Sequence, residues 1–166
     1  MEGLPQLVRE LMTVGVLTCT PDTPIVDIAA LFLDRNLEEI VVMEEGNAIG
    51  VIGQDELVSV IENSEWQSLT AGEIMREDIL QLPPNIPLVP AVQLMKDHKV
   101  RAIFLMHHSG GIVYPAGVLT YRHILRLIAA KNSEELADLG ISASRQLPVD
   151  AFRKRRDETR NKLLST

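Results

Sequence analysis

Residues 24–43 read PIVDIAALFLDRNLEEIVVM, and residues 87–106 read PLVPAVQLMKDHKVRAIFLM. Laid over one another, the stretches match Pro24 to Pro87, Val26 to Val89, Leu31 to Leu94, Asp34 to Asp97 and Ile40 to Ile103. The identities are modest, and the physical pattern is stronger. Ile25, Ile28, Ala29 and Phe32 stand at i, i+3, i+4 and i+7, and Leu88, Ala91, Val92 and Met95 hold the same offsets. Each set is one apolar face of an amphipathic helix. Both helices begin at a proline, whose missing N–H is not needed in a first turn.

The repeat extends outward from these helices. Ile40–Met43 and Ile103–Met106 are short apolar runs suited to strands buried on both faces. A second strand follows each: residues 48–52 after the turn Glu45-Gly46-Asn47, and residues 113–119 after a longer loop, His107-His108-Ser109-Gly110-Gly111. Leu57, Val58, Val60 and Ile61 supply the apolar positions of a closing helix in the first copy; Ile124, Leu125, Leu127 and Ile128 do so in the second. Short strands over 16–19 and 79–82 open the two copies. The unit is β-α-β-β-α written twice, an α/β fold. A copy of about 60 residues buries too little surface alone, so the two are expected to pack as a pseudo-twofold pair. The boundaries read 11–63 for the first copy, 64–131 for linker and second copy, and 132–166 for a C-terminal helical extension.

Composition narrows the function. The 166 residues are 46% hydrophobic, enough for a core without staples, and the net charge is −7. That balance argues against nucleic acid, which demands a basic surface. Cys19 is the sole cysteine, so no internal disulfide forms, in keeping with a reducing compartment. The opening residues lack the regions of a secretory leader, and no apolar run reaches the length of a membrane span. The expected address is the cytoplasm.

In this order and double occurrence, the residues resemble the CBS domain family, in which two repeats form a Bateman module. Leu11-Met12-Thr13 and Ile74-Met75-Arg76 resemble the Val-Met-Thr lead-in of each repeat. Residues 21–24 (PDTP) and 84–87 (PNIP) resemble the turn before the first helix. Residues 50–57 (GVIGQDEL) and 117–124 (GVLTYRHI) resemble the exit motif Gly-Ile-Val-Thr-x-x-Asp-Leu.

The resemblance implies a regulatory module with no catalytic residues, sensing a small molecule such as AMP, ADP or ATP in the cleft between repeats. In the family the exit threonine meets phosphate and the aspartate meets ribose, while the base lies against the first and middle strands. Carried over, the ligand residues are Thr120, His123, Gly53, Glu56, Thr18, Leu80, Met106 and His98. The motif is altered in both copies. Gly53 replaces the threonine and Glu56 the aspartate in the first; Thr120 is kept but His123 replaces the aspartate in the second. The Thr120 side is the favoured one. The alternative is a ligand-free scaffold. The resemblance also implies a homodimer formed through the helices.

Other features have plainer readings beside the functional ones. His107 and His108 are adjacent, a poor spacing for one metal, and read as solvated loop residues. Cys19 reads as an inert strand thiol. Trp66, in the linker, either covers the core edge or meets a partner. The extension carries the basic cluster Arg153-Lys154-Arg155-Arg156, diluted by Asp157 and Glu158. It reads as a solvated helix or as an arm that docks on a partner protein.

Overall fold

The computed structural model describes residues 6–83, 85–132 and 135. The extension expected from 132 onward lies, but for Asn132 and Glu135, outside the described residues. The elements are α1 (Val8–Leu11), β1 (Thr13–Val14), β2 (Thr18–Cys19), α2 (Ile25–Arg35), β3 (Glu39–Glu44), β4 (Asn47–Gly53), α3 (Gln54–Ser59), α4 (Ala71–Ile74), α5 (Leu88–Asp97), β5 (Ala102–Ser109), β6 (Ile112–Thr120) and α6 (Tyr121–Ala129). The α/β architecture is the one the repeat demanded.

The apolar helix faces are buried as their spacing requires. Ile25, Ile28 and Phe32 of α2 and Leu88, Ala91 and Met95 of α5 are all withdrawn from solvent. Pro24 and Pro87 stand one residue before the helices, as extended N-caps. Asn36 caps the end of α2 in the left-handed region (φ 51°), and Lys99, at the equivalent place after α5, takes φ 55°.

Several elements differ from expectation. The first strand of the first copy shrinks to Thr18–Cys19, paired parallel with Val41–Val42. Residues 79–82 form no strand: Gln81 makes one parallel bridge to Phe104, and Pro83, which has no N–H to donate, ends the ladder. His107 and His108 lie in β5, not in a loop. The hairpin closes instead on Gly110 and Gly111 at φ 58° and 80°, a two-residue turn that needs positive φ at both positions. Glu45 and Gly46 close the first hairpin the same way, at 49° and 84°. The closing helix α3 gives way at Val60 to a single tighter turn, Val60–Glu62.

The main feature that strand and helix patterns did not announce is an exchange of lead-ins. Helix α1 packs into the second repeat: Val8 N–H donates to Ile86 O (3.1 Å) and Leu88 N–H to Gln6 O (2.8 Å). Val8 and Leu11, fully buried, share a core with Leu88, Ala91, Met95, Ile103, Leu105 and Leu119. Each such side chain contributes roughly 1.5–3 kcal/mol. Helix α4 does the converse. Ala71 N–H donates to Thr23 O and Gly72 N–H to Pro21 O, both at 2.8 Å, and Ala71 joins Ile28, Phe32, Ile40, Val42 and Ile52.

The strands follow suit. β1 pairs with β6, giving a sheet in the order β1-β6-β5 beside the sheet β2-β3-β4. Arg76 exchanges two backbone hydrogen bonds of 2.8 Å with Val51 of β4. The first glycine of each exit motif makes room for this. A Cβ on Gly50 would stand 2.8 Å from Arg76 O, and one on Gly117 3.0 Å from Thr13 O. A third core, of Val41, Val51, Ala102 and Phe104, closes the contact between the sheets.

Candidate functional site

The exchange sets the lead-in of one repeat against the exit motif of the other, so each exit turn is a two-repeat structure. In the first repeat, Gly53 ends β4 and α3 starts at Gln54. The helix leaves backbone N–H groups unpaired at its start. Glu56, at the third helical position, curls back and accepts from Gly53 N–H through Oε2 at 2.8 Å. Its other oxygen, Oε1, lies 2.9 Å from Nε of Arg76, which arrives on the second repeat's lead-in. Arg76 Nη2 donates to Glu39 Oε1 at 3.1 Å, and Nη1 lies 3.7 Å from Asp78. The Glu39 side chain is only 7% exposed. Burial pushes its carboxyl up to about 7, with Arg76 pulling the other way and the Glu56 charge adding to the rise.

The second exit turn repeats the geometry with other chemistry. His123 occupies the third position of α6 and is 6% exposed. Its Nδ1 accepts from Thr120 N–H at 2.9 Å and is the same distance from Thr120 Oγ1. The proton of the neutral ring therefore sits on Nε2, which donates to Thr13 Oγ1 at 2.7 Å. Burial, with the nearby charges of Arg126 and Arg122, holds the imidazole down to about 4. Thr13–His123 is thus the counterpart of Arg76–Glu56, one neutral and one ionic.

The two sides differ in what they leave open. A cavity of about 230 Å³ lies beside the first exit turn, at the junction of the repeats. Gly53, Gln54, Asp55 and Glu56 line one wall; the turn after α5, with His98, Lys99 and Arg101, lines another. Arg101 Nη1 donates to Gln54 Oε1 across it at 3.1 Å. A second depression, which shares Glu38 with this cavity, is lined by Tyr121, Arg122, Leu125, Arg126 and Ala129, without Thr120 or His123.

Of the residues singled out from sequence, Gly53, Glu56 and His98 therefore share one cavity. Thr120 meets His123, and His123 meets Thr13. Thr18 is exposed on β2, Leu80 packs on the second-repeat core and Met106 on the inter-sheet core; none lines the cavity. Glu39, Arg76, Lys99 and Arg101 were not singled out. The one sequence signal for Arg76 was its alignment with Thr13 in the lead-in. Cys19 is half-buried, and burial raises its thiol to about 11, so it stays protonated. Among the described residues no helix is long and apolar enough to cross a membrane.

The CBS domain model matches residues 8–63 and 71–130. The chain is 24% identical over 110 residues to inosine-5'-monophosphate dehydrogenase of Thermoplasma acidophilum, spanning 66% of this chain but 21% of that enzyme. It is 25% identical over 130 residues to the mitochondrial CBS domain-containing protein CBSX3 of Arabidopsis thaliana, 74% of this chain and 61% of that one. Among solved structures, the CBS domain pair of protein MJ0100 in complex with 5'-methylthioadenosine and S-adenosyl-L-methionine superposes with a TM-score of 0.66 at 18% identity, covering 77% of this chain and all (100%) of that one. CBSX2 in complex with AMP gives 0.62 at 19%, covering 75% and 96%. At such identities the likeness establishes the fold. The family model spans most of the described residues, and the chain belongs to the CBS domain family, as two CBS domains in tandem.

Proposed function

We propose that this CBS pair is a regulatory module that takes an adenine nucleotide or related adenosyl compound in the cleft beside Gly53–Glu56, and performs no catalysis. The observation that carries the reading is the cavity itself, where the exit turn of one repeat faces the cationic turn of the other. Gly53 has no side chain to block backbone approach. Glu56 presents acceptors on the cavity wall, and His98, Lys99 and Arg101 offer donors. Two structures of the same fold hold AMP or adenosyl compounds, which supports the ligand class. The Thr120 side is less suited, because His123 is buried with both ring nitrogens bonded inside the protein and has no capacity left, whereas each Glu56 oxygen keeps a second lone pair beyond its bond to Gly53 N–H or Arg76.

Thermal denaturation with and without millimolar AMP, ADP, ATP, 5'-methylthioadenosine and S-adenosylmethionine tests this. A ligand of the folded form raises Tm, by about 2.7 kcal/mol of stabilisation at a hundredfold excess over Kd. Lys99→Ala and Arg101→Ala should weaken the shift. Absence of any shift with all five compounds rejects the reading.

A second reading, a scaffold that pairs with a copy of itself, is supported by apolar side chains left in solvent. Ile128 on α6 is 74% exposed and Val58 on α3 is 70% exposed, on the closing helices of both repeats. Sedimentation of the native chain and of Ile128→Glu separates the cases: a dimer dissociates in the variant, whereas a native monomer excludes the reading.

A further inference from the structure

This inference rests on the cavity being the ligand site, and concerns which ligands it admits. The lining charges do not balance. Glu38, Glu39, Asp55, Glu56 and Asp78 face the cavity against Arg76, Lys99 and Arg101, and because Glu39, raised to about 7, is only partly ionised near neutrality, the surplus lies between one and two negative charges. The strongest cation is also spent. Arg76 is paired through Nε with Glu56 and through Nη2 with Glu39, while Nη1 lies 3.7 Å from Asp78, so its charge is already neutralised within the protein. Arg101 has one nitrogen on Gln54. Lys99 and His98 remain, both exposed and therefore screened.

We propose that the cleft selects its adenosyl ligand by charge, taking a nucleoside with a neutral or cationic 5' substituent and refusing a polyphosphate. The acidic surplus repels each added phosphate, whereas ribose hydroxyls and a sulfonium or ammonium find acceptors in the Glu56 and Asp55 walls.

Calorimetric titration of the full chain with 5'-methylthioadenosine, S-adenosylmethionine, AMP and ATP, at fixed ionic strength, tests the proposal. The first two should bind at least about tenfold more tightly than ATP, and salt should narrow the gap by screening the repulsion. Asp55→Lys combined with Asp78→Lys changes two exposed residues and should move the affinity ratio toward ATP. ATP binding as tightly as the neutral thioether, or a ratio unmoved by both salt and the double variant, overturns the charge selection while leaving adenosyl binding intact. Failure of all four compounds to bind removes the ligand site itself, and the selection with it.

Discussion

Glu56 Oε1 and Arg76 Nε, 2.9 Å apart, tie the helix cap of the first repeat to the lead-in of the second. One carboxylate thereby serves two purposes, since Oε2 holds Gly53 N–H at 2.8 Å. Thr13 and His123 do the same at the pseudo-equivalent point, 2.7 Å apart.

Glu56→Ala loses the cap and the ion pair together and should destabilise the chain by about 2 kcal/mol. Glu56→Gln keeps an acceptor for Gly53 N–H and should cost about half as much. Urea denaturation reads both. In a cycle with Arg76→Met, the double variant should fall short of the sum of the single losses. Strict additivity would show that the pair is not coupled.

The pH dependence of stability contains two opposed contributions. His123 falls from 6.5 to about 4 on folding, so the unfolded chain binds more protons and stability rises with pH between about 4 and 6.5. Glu39 rises from 4.5 to about 7, so the folded chain binds more protons and stability falls with pH over that span. The shifts are similar in size, each on the order of 3 kcal/mol as an upper figure. Their contributions should therefore largely offset one another from about pH 4.5 to 6.5. Relative to the native chain, His123→Gln should tilt the curve downward with rising pH and Glu39→Gln upward. Urea midpoints at several pH values measure the tilt; two variants tilting the same way would refute the assignment.

Gly50→Ala should cost about 1–3 kcal/mol by overpacking, because its Cβ meets Arg76 O at 2.8 Å and Met75 Sδ at 2.7 Å. Gly117→Ala should cost less, since the backbone oxygen there is 3.0 Å away. Thermal unfolding ranks the two. The reverse order would refute the close-approach account, since the methionine sulfur as well as the carbonyl stands nearer at Gly50, at 2.7 Å against 2.9 Å.

Leu11→Ala should lose about 2–5 kcal/mol. Its local signature is more telling than its size. Leu11 packs with Leu88, Met95 and Leu119, all distant in sequence. Hydrogen exchange should therefore quicken in α5 and β6 before it does in α2. Loosening confined to α2 and β3 would contradict the exchange of lead-ins.

Local pattern made much of this legible. The α2 and α5 faces were plain because helical spacing reports burial directly, and Ile28, Phe32, Ala91 and Met95 are buried as read. The exchange was not legible, because a four-residue helix such as α1 carries no periodicity to show which core receives Val8 and Leu11. His107 and His108 were misplaced because loop length was judged from polarity, whereas a Gly-Gly pair suffices to turn the chain. At the site, the altered residues Gly53, Glu56, Thr120 and His123 were found by aligning the motifs. That Glu56 binds Arg76, and His123 binds Thr13, depends on contacts between segments 20 and 110 residues apart, beyond any local signal.

The exchanged lead-ins also decide how the molecule can be divided. Each half brings the plug for the other's socket, so a half expressed alone has an open groove and a loose plug of matching kind. Two such halves would close by trading plugs with each other, as separate chains. A nick near Ser64 should thus leave an assembled particle, whereas trimming residues 6–14 should open the distal half of an otherwise uncut chain.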